Sequence, residues 1–136
     1  LFPYTTLFRS SSVWTIDNTK GAVADAYDEE ATEIESRLVS PSITLPSSTT
    51  ITLSFTHMQQ YFTSVDALKE KVSLQISEDG SSWTTIAFTE YPEAGDKVTY
   101  ADATADLSAY SGKTIYIAFR FAETKNIWII KTVSIR

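Results

Sequence analysis

Apolar and polar residues alternate with a period of two through most of this chain, and that alternation restricts the fold more than any other feature of the sequence. Ile51, Leu53 and Phe55 alternate with Thr52, Ser54 and Thr56; Val72, Leu74 and Ile76 with Ser73, Gln75 and Ser77; Ile115, Ile117, Phe119 and Phe121 with Tyr116 and Arg120. Successive side chains of a strand point to opposite faces, so each run reads as a strand with one face on a core and the other polar. Helical spacing is confined to residues 64–71, "SVDALKEK", where Ser64 is a candidate cap and Val65 and Leu68 share a face.

Turn chemistry falls between the runs. Asp79-Gly80, inside "SEDGSSW", predicts a hairpin joining the Val72 strand to a strand over 83–88, with a loop longer than two residues. Ser111-Gly112 precedes the strand that starts at Thr114, and Pro41 and Pro46 bracket "SITL", which reads as a short edge segment because proline cannot donate to a ladder. In "NIWIIKTVSIR", Trp128 and Ile130 share one parity and Val133 and Ile135 the other. Both pairs face inward only if a bulge lies near Lys131 and Thr132. Roughly eight short strands and one small helix predict an all-β fold, a two-sheet antiparallel jelly-roll sandwich.

The first ten residues, "LFPYTTLFRS", stand apart. Thr5, Thr6 and Arg9 interrupt every apolar run, unlike a signal peptide. Translated back into DNA, the segment resembles the end of a common sequencing-library adapter, in frame to Ser10. Leu1–Ser10 are therefore expected to be adapter-derived and not native, and residues 11–136 to be a single jelly-roll domain, a fragment of a larger protein. The other reading is an N-terminal edge strand, which Phe2, Tyr4, Thr5, Thr6 and Phe8 favour by composition.

Charge and composition remove several function classes. The net charge is −6, one more negative without Arg9, whereas nucleic-acid binders cluster Lys and Arg. No apolar run approaches the roughly 18 residues of a membrane-spanning helix. The chain has no cysteine, hence no disulfide, thiolate metal site or cysteine nucleophile. His57 is the only histidine; it continues the inward parity of Phe55 and reads as a hydrogen-bonding histidine at the core edge, with no G-x-S-x-G elbow to support a triad. The four glycines are too dispersed for a phosphate loop or a dinucleotide fingerprint. Glycoside hydrolysis needs two carboxylates about 5–10 Å apart, yet residues 51–57, 72–77, 114–121 and 127–135 contain no Asp or Glu.

The carboxylates gather instead in expected loops: Asp25, Asp28, Glu29, Glu30, Glu33 and Glu35 in one segment, Glu90, Glu93, Asp96, Asp102 and Asp106 in another. They read either as solvated loops that keep the domain soluble or as oxygen ligands for a structural calcium ion, although no D-x-D-x-D-G loop is present. Trp83 and Trp128 stand beside inward parity positions and are expected in the core. Trp14, Tyr61, Tyr91, Tyr100 and Tyr110 fall near expected loops or strand ends, where a ring can stack on the C–H face of a pyranose. Tyr91 and Tyr100, with Asp96 and Asp102 nearby to bond hydroxyls, form the candidate ligand site; Asp25 and Asp28 are the candidate calcium ligands.

Five segments in order, "SRLVSPSITL", "ITLSFTHMQQY", "VSLQISEDGSSWTTI", "ADLSAYSGKTIYIAFRF" and "IWIIKTVSI", resemble the choice-of-anchor J and cleaved-adhesin type domains of secreted and surface proteins of Gram-negative gut and oral bacteria. The most specific pieces are L-V-S-P at Leu38–Pro41, S-x-D-G-x-x-W at Ser77–Trp83 and D-L-S-x-Y-x-G-K at Asp106–Lys113. The resemblance implies a jelly roll similar to MAM and galactose-binding-like domains, secreted or at the cell surface and usually non-catalytic. Such a domain serves in cell adhesion or carbohydrate binding beside other domains of its chain. Two positions depart from the pattern. Arg37 stands where such domains commonly carry tryptophan. Lys131 stands where W-x-I-D-x-V places an aspartate, a contributor to the calcium site in parts of the family, and so puts a repelling charge where a ligand is expected.

The sequence therefore predicts an extracellular, non-catalytic carbohydrate- or surface-binding module whose partner is a glycan or cell-surface protein, with no nucleic acid. A purely structural sandwich spacer is the alternative, and a jelly-roll glycoside hydrolase the third.

Overall fold

The computed structural model describes residues 6–7, 14–17, 19–26, 35–95, 99–122 and 125–136. They form two antiparallel sheets and one short helix, α1 (Val65–Lys71). The six-stranded sheet runs β1 (Thr6–Leu7), β4 (Ser36–Val39), β10 (Thr114–Phe121), β7 (Val72–Ser77), β8 (Thr84–Ile86), with β5 (Ile43–Thr44) also on β10. The five-stranded sheet runs β2 (Trp14–Asp17), β3 (Gly21–Asp25), β11 (Ile127–Ile135), β6 (Thr52–Gln60), β9 (Ala101–Asp106). The expected sandwich and the helix at 64–71 are both present, with Ser64 Oγ accepting from the Ala67 amide at 3.1 Å as the cap.

Register aligns the apolar parities into facing layers. Leu38, Phe119, Leu74 and Ile86 form one row across the six-stranded sheet. Across the gap, Phe55 meets Phe119 with ring centroids 5.1 Å apart and Phe119 meets Trp128 at 6.0 Å, while within the five-stranded sheet Trp128 packs on Trp14 at 5.8 Å. Burying side chains of this size stabilises by about 1.5–3 kcal/mol each. Ala22, Ala24, Ala103 and Ala105, all buried on flanking strands, leave the volume those rings occupy. These alanines also explain why β3 and β9 do not stand out in the sequence: their inward residues carry little strand propensity. Trp14, expected near a loop or strand end where a ring can stack on a sugar, does start β2 but is 1 % exposed and donates its Nε1–H to the Ser36 carbonyl at 3.2 Å. Trp83, expected in the core, is only half-buried and packs on Arg37.

The three motif segments close the strand ends. Pro41 interrupts the edge of β10 because it has no N–H to give. At the break the Ser40 amide donates to the Ile117 carbonyl at 2.8 Å, and the Ile117 amide donates to Ser40 Oγ at 2.9 Å. The side-chain oxygen thus stands in for a carbonyl, and pairing resumes at Ile43↔Ile115. In the 78–83 loop Asp79 Oδ1 accepts from the Ser81 and Ser82 amides, each at 2.8 Å, and from Ser77 Oγ at 2.9 Å. Those bonds hold the Asp79 carboxyl down at about 2. Gly80, at φ +79°, makes the turn that an L side chain rarely adopts. After Asp106, Ser108 opens a 3₁₀ turn and its Oγ accepts from the Ile51 amide at 3.0 Å. The expected bulge is a register shift between Lys131 and Ser134, with Thr132 at φ +57°.

Thr6–Leu7 pairs with the outer edge of β4, Thr6 opposite Leu38 and Leu7 opposite Arg37. The rest of Leu1–Ser10 lies outside the described residues.

His57 is wholly buried. Trp128 Nε1–H donates to its Nδ1 at 3.1 Å, which makes Nδ1 an acceptor and leaves the proton on Nε2, 3.0 Å from the Glu90 carbonyl. Burial pulls its pKa from 6.5 down to about 4, opposed by the bond to Glu90. Among the described residues its hydrogen-bond partners are the Trp128 indole and the Glu90 carbonyl.

Two predictions follow from these contacts. Ser40→Ala orphans the buried Ile117 amide and lowers unfolding free energy by about 1–3 kcal/mol; an unchanged urea midpoint would contradict the role given to Ser40. For His57 the unfolded chain takes the proton first as pH falls, so its contribution to stability is complete above about 6.5 and is lost on descending to about 4. Urea titrations across that window should fall by up to about 1.4 kcal/mol per pH unit, and His57→Gln should flatten the slope; an identical slope in the variant would contradict the assignment.

Candidate functional site

The segment from Phe88 to Tyr100 carries most of the candidate ligand residues, and buried polar groups of β6 hold it in place. Gln59, fully buried, donates its side-chain amide to the Glu93 carbonyl and accepts from the Phe62 amide at 3.0 Å. The Tyr61 amide donates to the Gly95 carbonyl at 3.2 Å and the Gly95 amide to the Phe62 carbonyl at 2.6 Å. Glu90 adopts φ +46°, uncommon for a residue with a side chain, and so turns its carbonyl onto His57. The Thr89 amide donates to the Thr104 carbonyl at 2.9 Å, tying the segment to β9.

This anchoring sends Tyr91 and Tyr100 to different faces. Tyr91 is half-buried against the core, its ring 4.6 Å from Phe88 and 6.1 Å from His57, with Lys69 Nζ 5.1 Å from its centroid. Burial raises its phenol above the usual value. Tyr110 likewise packs on the core edge, beside a pocket of 220 Å³ formed with Ile76 and the Ser77–Thr84 turn.

Tyr100 lies on the outer face of the five-stranded sheet and is 43 % exposed; with Ile16 it is one of two exposed large hydrophobic side chains among the described residues. Lys131, Thr56 and Asp102 fall in one row across β11, β6 and β9 on that face. Lys131 Nζ stands 4.0 Å from the Tyr100 centroid, and Thr56 Oγ1 donates to Asp102 Oδ1 at 2.7 Å. Beside them Met58 and Ile129 pair opposite each other at outward register positions, yet both are buried. An aromatic ring, a carboxylate, a hydroxyl and an ammonium thus share one patch. Asp96 and Asp28 lie outside the described residues.

Asp25 pairs opposite Ile127, four residues along β11 from Lys131, about 13 Å at strand rise. Position 131 and Asp25 therefore cannot share one cation, whose ligands sit at 2.3–2.6 Å. Among the described residues no three His, Asp or Glu side chains are grouped to hold a metal ion, and no helix is long and apolar enough to cross a membrane.

A second polar cluster, whose members the sequence did not bring together, lies on the outer face of the six-stranded sheet. It comprises Glu35, Arg37, Arg120, Gln75 and Trp83. Its sequence signal was the long polar side chains at outward parity on β4, β7 and β10, together with the replacement of tryptophan by Arg37.

No protein-family model and no curated protein sequence matches the chain. Solved structures do. The K1 cleaved adhesin domain of Lys-gingipain from Porphyromonas gingivalis W83 matches with a TM-score of 0.59 at 16 % identity, covering 99 % of this chain and 89 % of that one. TmCBM61, solved in complex with β-1,4-galactotriose, matches with a TM-score of 0.57 at 11 % identity, over 99 % and 87 %. A family 16 carbohydrate-binding module matches with a TM-score of 0.50 at 6 % identity, over 99 % and 89 %. At these identities the likeness establishes the β-sandwich fold.

Proposed function

We propose that this domain is a non-catalytic, extracellular carbohydrate- or surface-binding module, and that its ligand contacts the outer face of the five-stranded sheet around Tyr100. The exposed Tyr100 ring carries this reading, because Asp102, Thr56 and Lys131 surround it with groups that bond sugar hydroxyls. An apolar ring beside a few convergent polar groups is the usual make-up of a ligand site. The sandwich neighbours include a module bound to β-1,4-galactotriose and a cleaved adhesin domain, which supports the same class of ligand. A catalytic role finds little support: Asp102 and Asp106 share the outer face of β9 but are four residues apart, about 13 Å along the strand, beyond the carboxylate spacing of glycoside hydrolases.

A structural spacer is the second reading. It is favoured by the single exposed aromatic ring on this face among the described residues, where a sugar platform commonly offers two.

A glycan-array screen of the full chain, with calcium and with chelator, separates the two. Saturable binding is expected, with Tyr100→Ala weakening it by about tenfold, the worth of a stacked ring face of roughly 1.5 kcal/mol. Tyr91→Ala should lower the thermal midpoint instead. A folded chain that binds no glycan, or binds equally well without the Tyr100 ring, would favour the spacer.

A further inference from the structure

The Tyr100 site leaves the outer face of the six-stranded sheet unused, and that face is built in an unusual way. β4 and β10 set Arg37 directly opposite Arg120, a placement that is unfavourable for like charges unless an anion lies between them. Glu35 provides one. Its Oε2 accepts from Arg120 Nε at 3.0 Å and from Nη2 at 2.6 Å, and its Oε1 stands 3.6 Å from Arg37 Nη1.

Arg37 is also fixed from the other side. Its Nε donates to Gln75 Oε1 at 2.8 Å, Gln75 Nε2 donates to Thr85 Oγ1 at 3.3 Å, and the guanidinium lies 5.5 Å from the centre of the Trp83 ring. The Arg37 side chain is 14 % exposed, a degree of desolvation that an outward strand position does not require. Ser73, opposite Arg120 on β7, has a buried hydroxyl oxygen with no hydrogen-bond partner among the described residues. The result is a rigid fork of guanidinium donors beside a half-exposed indole, with a carboxylate already seated in it.

We propose that this arginine pair is a second docking site, one that takes the carboxylate of an acidic saccharide, a uronic acid unit, in exchange for Glu35. A carboxylate matches the planar donor geometry of guanidinium, and Glu35 demonstrates the fit. Glu35 is the most exposed member of the ion-paired trio, 39 % against 14 % for Arg37 and 25 % for Arg120, and so is the partner that can give way. The sugar ring of the incoming unit then lies against Trp83. Because the groups are held before the ligand arrives, little side-chain freedom is lost on binding.

The probe is an oligogalacturonate, with a neutral galactose oligomer as the control, titrated calorimetrically into the full chain. Oligogalacturonate should bind saturably, more weakly as salt is raised. Glu35→Gln removes the internal competitor and should tighten binding by about tenfold; Arg37→Lys keeps the charge but loses the fork and should weaken it by about tenfold. Trp83→Ala, at a half-buried position, reads the same contact if Arg37→Lys lowers the thermal midpoint. Excess neutral galactose oligomer should not displace oligogalacturonate, because the neutral sugar has no carboxylate for the arginine fork, and this separates the site from the one on the opposite face. Failure of both the wild-type chain and Glu35→Gln to bind, weaker binding by Glu35→Gln, or displacement of oligogalacturonate by the neutral galactose oligomer would each overturn the proposal.

Discussion

Phe55 and Phe119 meet edge to face at 5.1 Å between the two sheets, and everything placed on the outer surfaces depends on that contact. Trp128 packs on Phe119 and also bonds His57, so the same aromatic layer contains the one buried imidazole. His57 in turn fixes the Glu90 carbonyl, and Phe88 and Tyr91 pack edge to face against its ring. The segment that leaves the core at Phe88 thus returns to the sheet at β9 with Tyr100 turned outward. A loop with few strand bonds of its own gains its geometry from the core beneath it, as functional loops on rigid scaffolds commonly do.

The motif segments that resemble choice-of-anchor J domains have a structural meaning. Ser40 and Pro41 bridge a broken edge, Ser77, Asp79 and Gly80 shape a hairpin loop, and Asp106 and Ser108 turn the chain into β10. Each satisfies backbone donors that would otherwise lie unpaired at a strand end. The surfaces proposed for binding lie elsewhere, at Tyr100, Asp102 and Lys131 on one face and at Arg37, Arg120 and Trp83 on the other. A resemblance carried by such motifs therefore reports the sandwich.

Alternation made most of the fold legible, because large inward residues on β6, β7, β10 and β11 leave a strong period of two. It gave little warning of β2, β3 and β9, where alanine fills the inward positions or where, as with Trp14, one large residue stands alone on a short strand. The candidate site was legible only in part. Parity places Asp102 outward, but whether Tyr91 and Tyr100 share a face depends on the path of a loop anchored by Gln59 and Glu90, and neither anchor has a local sequence signature. The arginines themselves left a signal but their pairing did not, for a related reason: Arg37 and Arg120 are 83 positions apart in sequence and become neighbours only through the register of β4 on β10.

Electrostatically the two faces differ in kind. The chain is acidic overall, yet each outer face holds cations against rings, Lys131 at Tyr100 and Arg37 at Trp83. The central claim is that the Tyr100 face binds glycan. The most direct test is a residue-resolved NMR titration of the ¹⁵N-labelled full chain against pooled neutral oligosaccharides. The account predicts saturable shift changes centred on Tyr100, Asp102, Thr56 and Lys131. Changes absent from that patch at millimolar sugar, in a chain whose spectrum shows it folded, would contradict it.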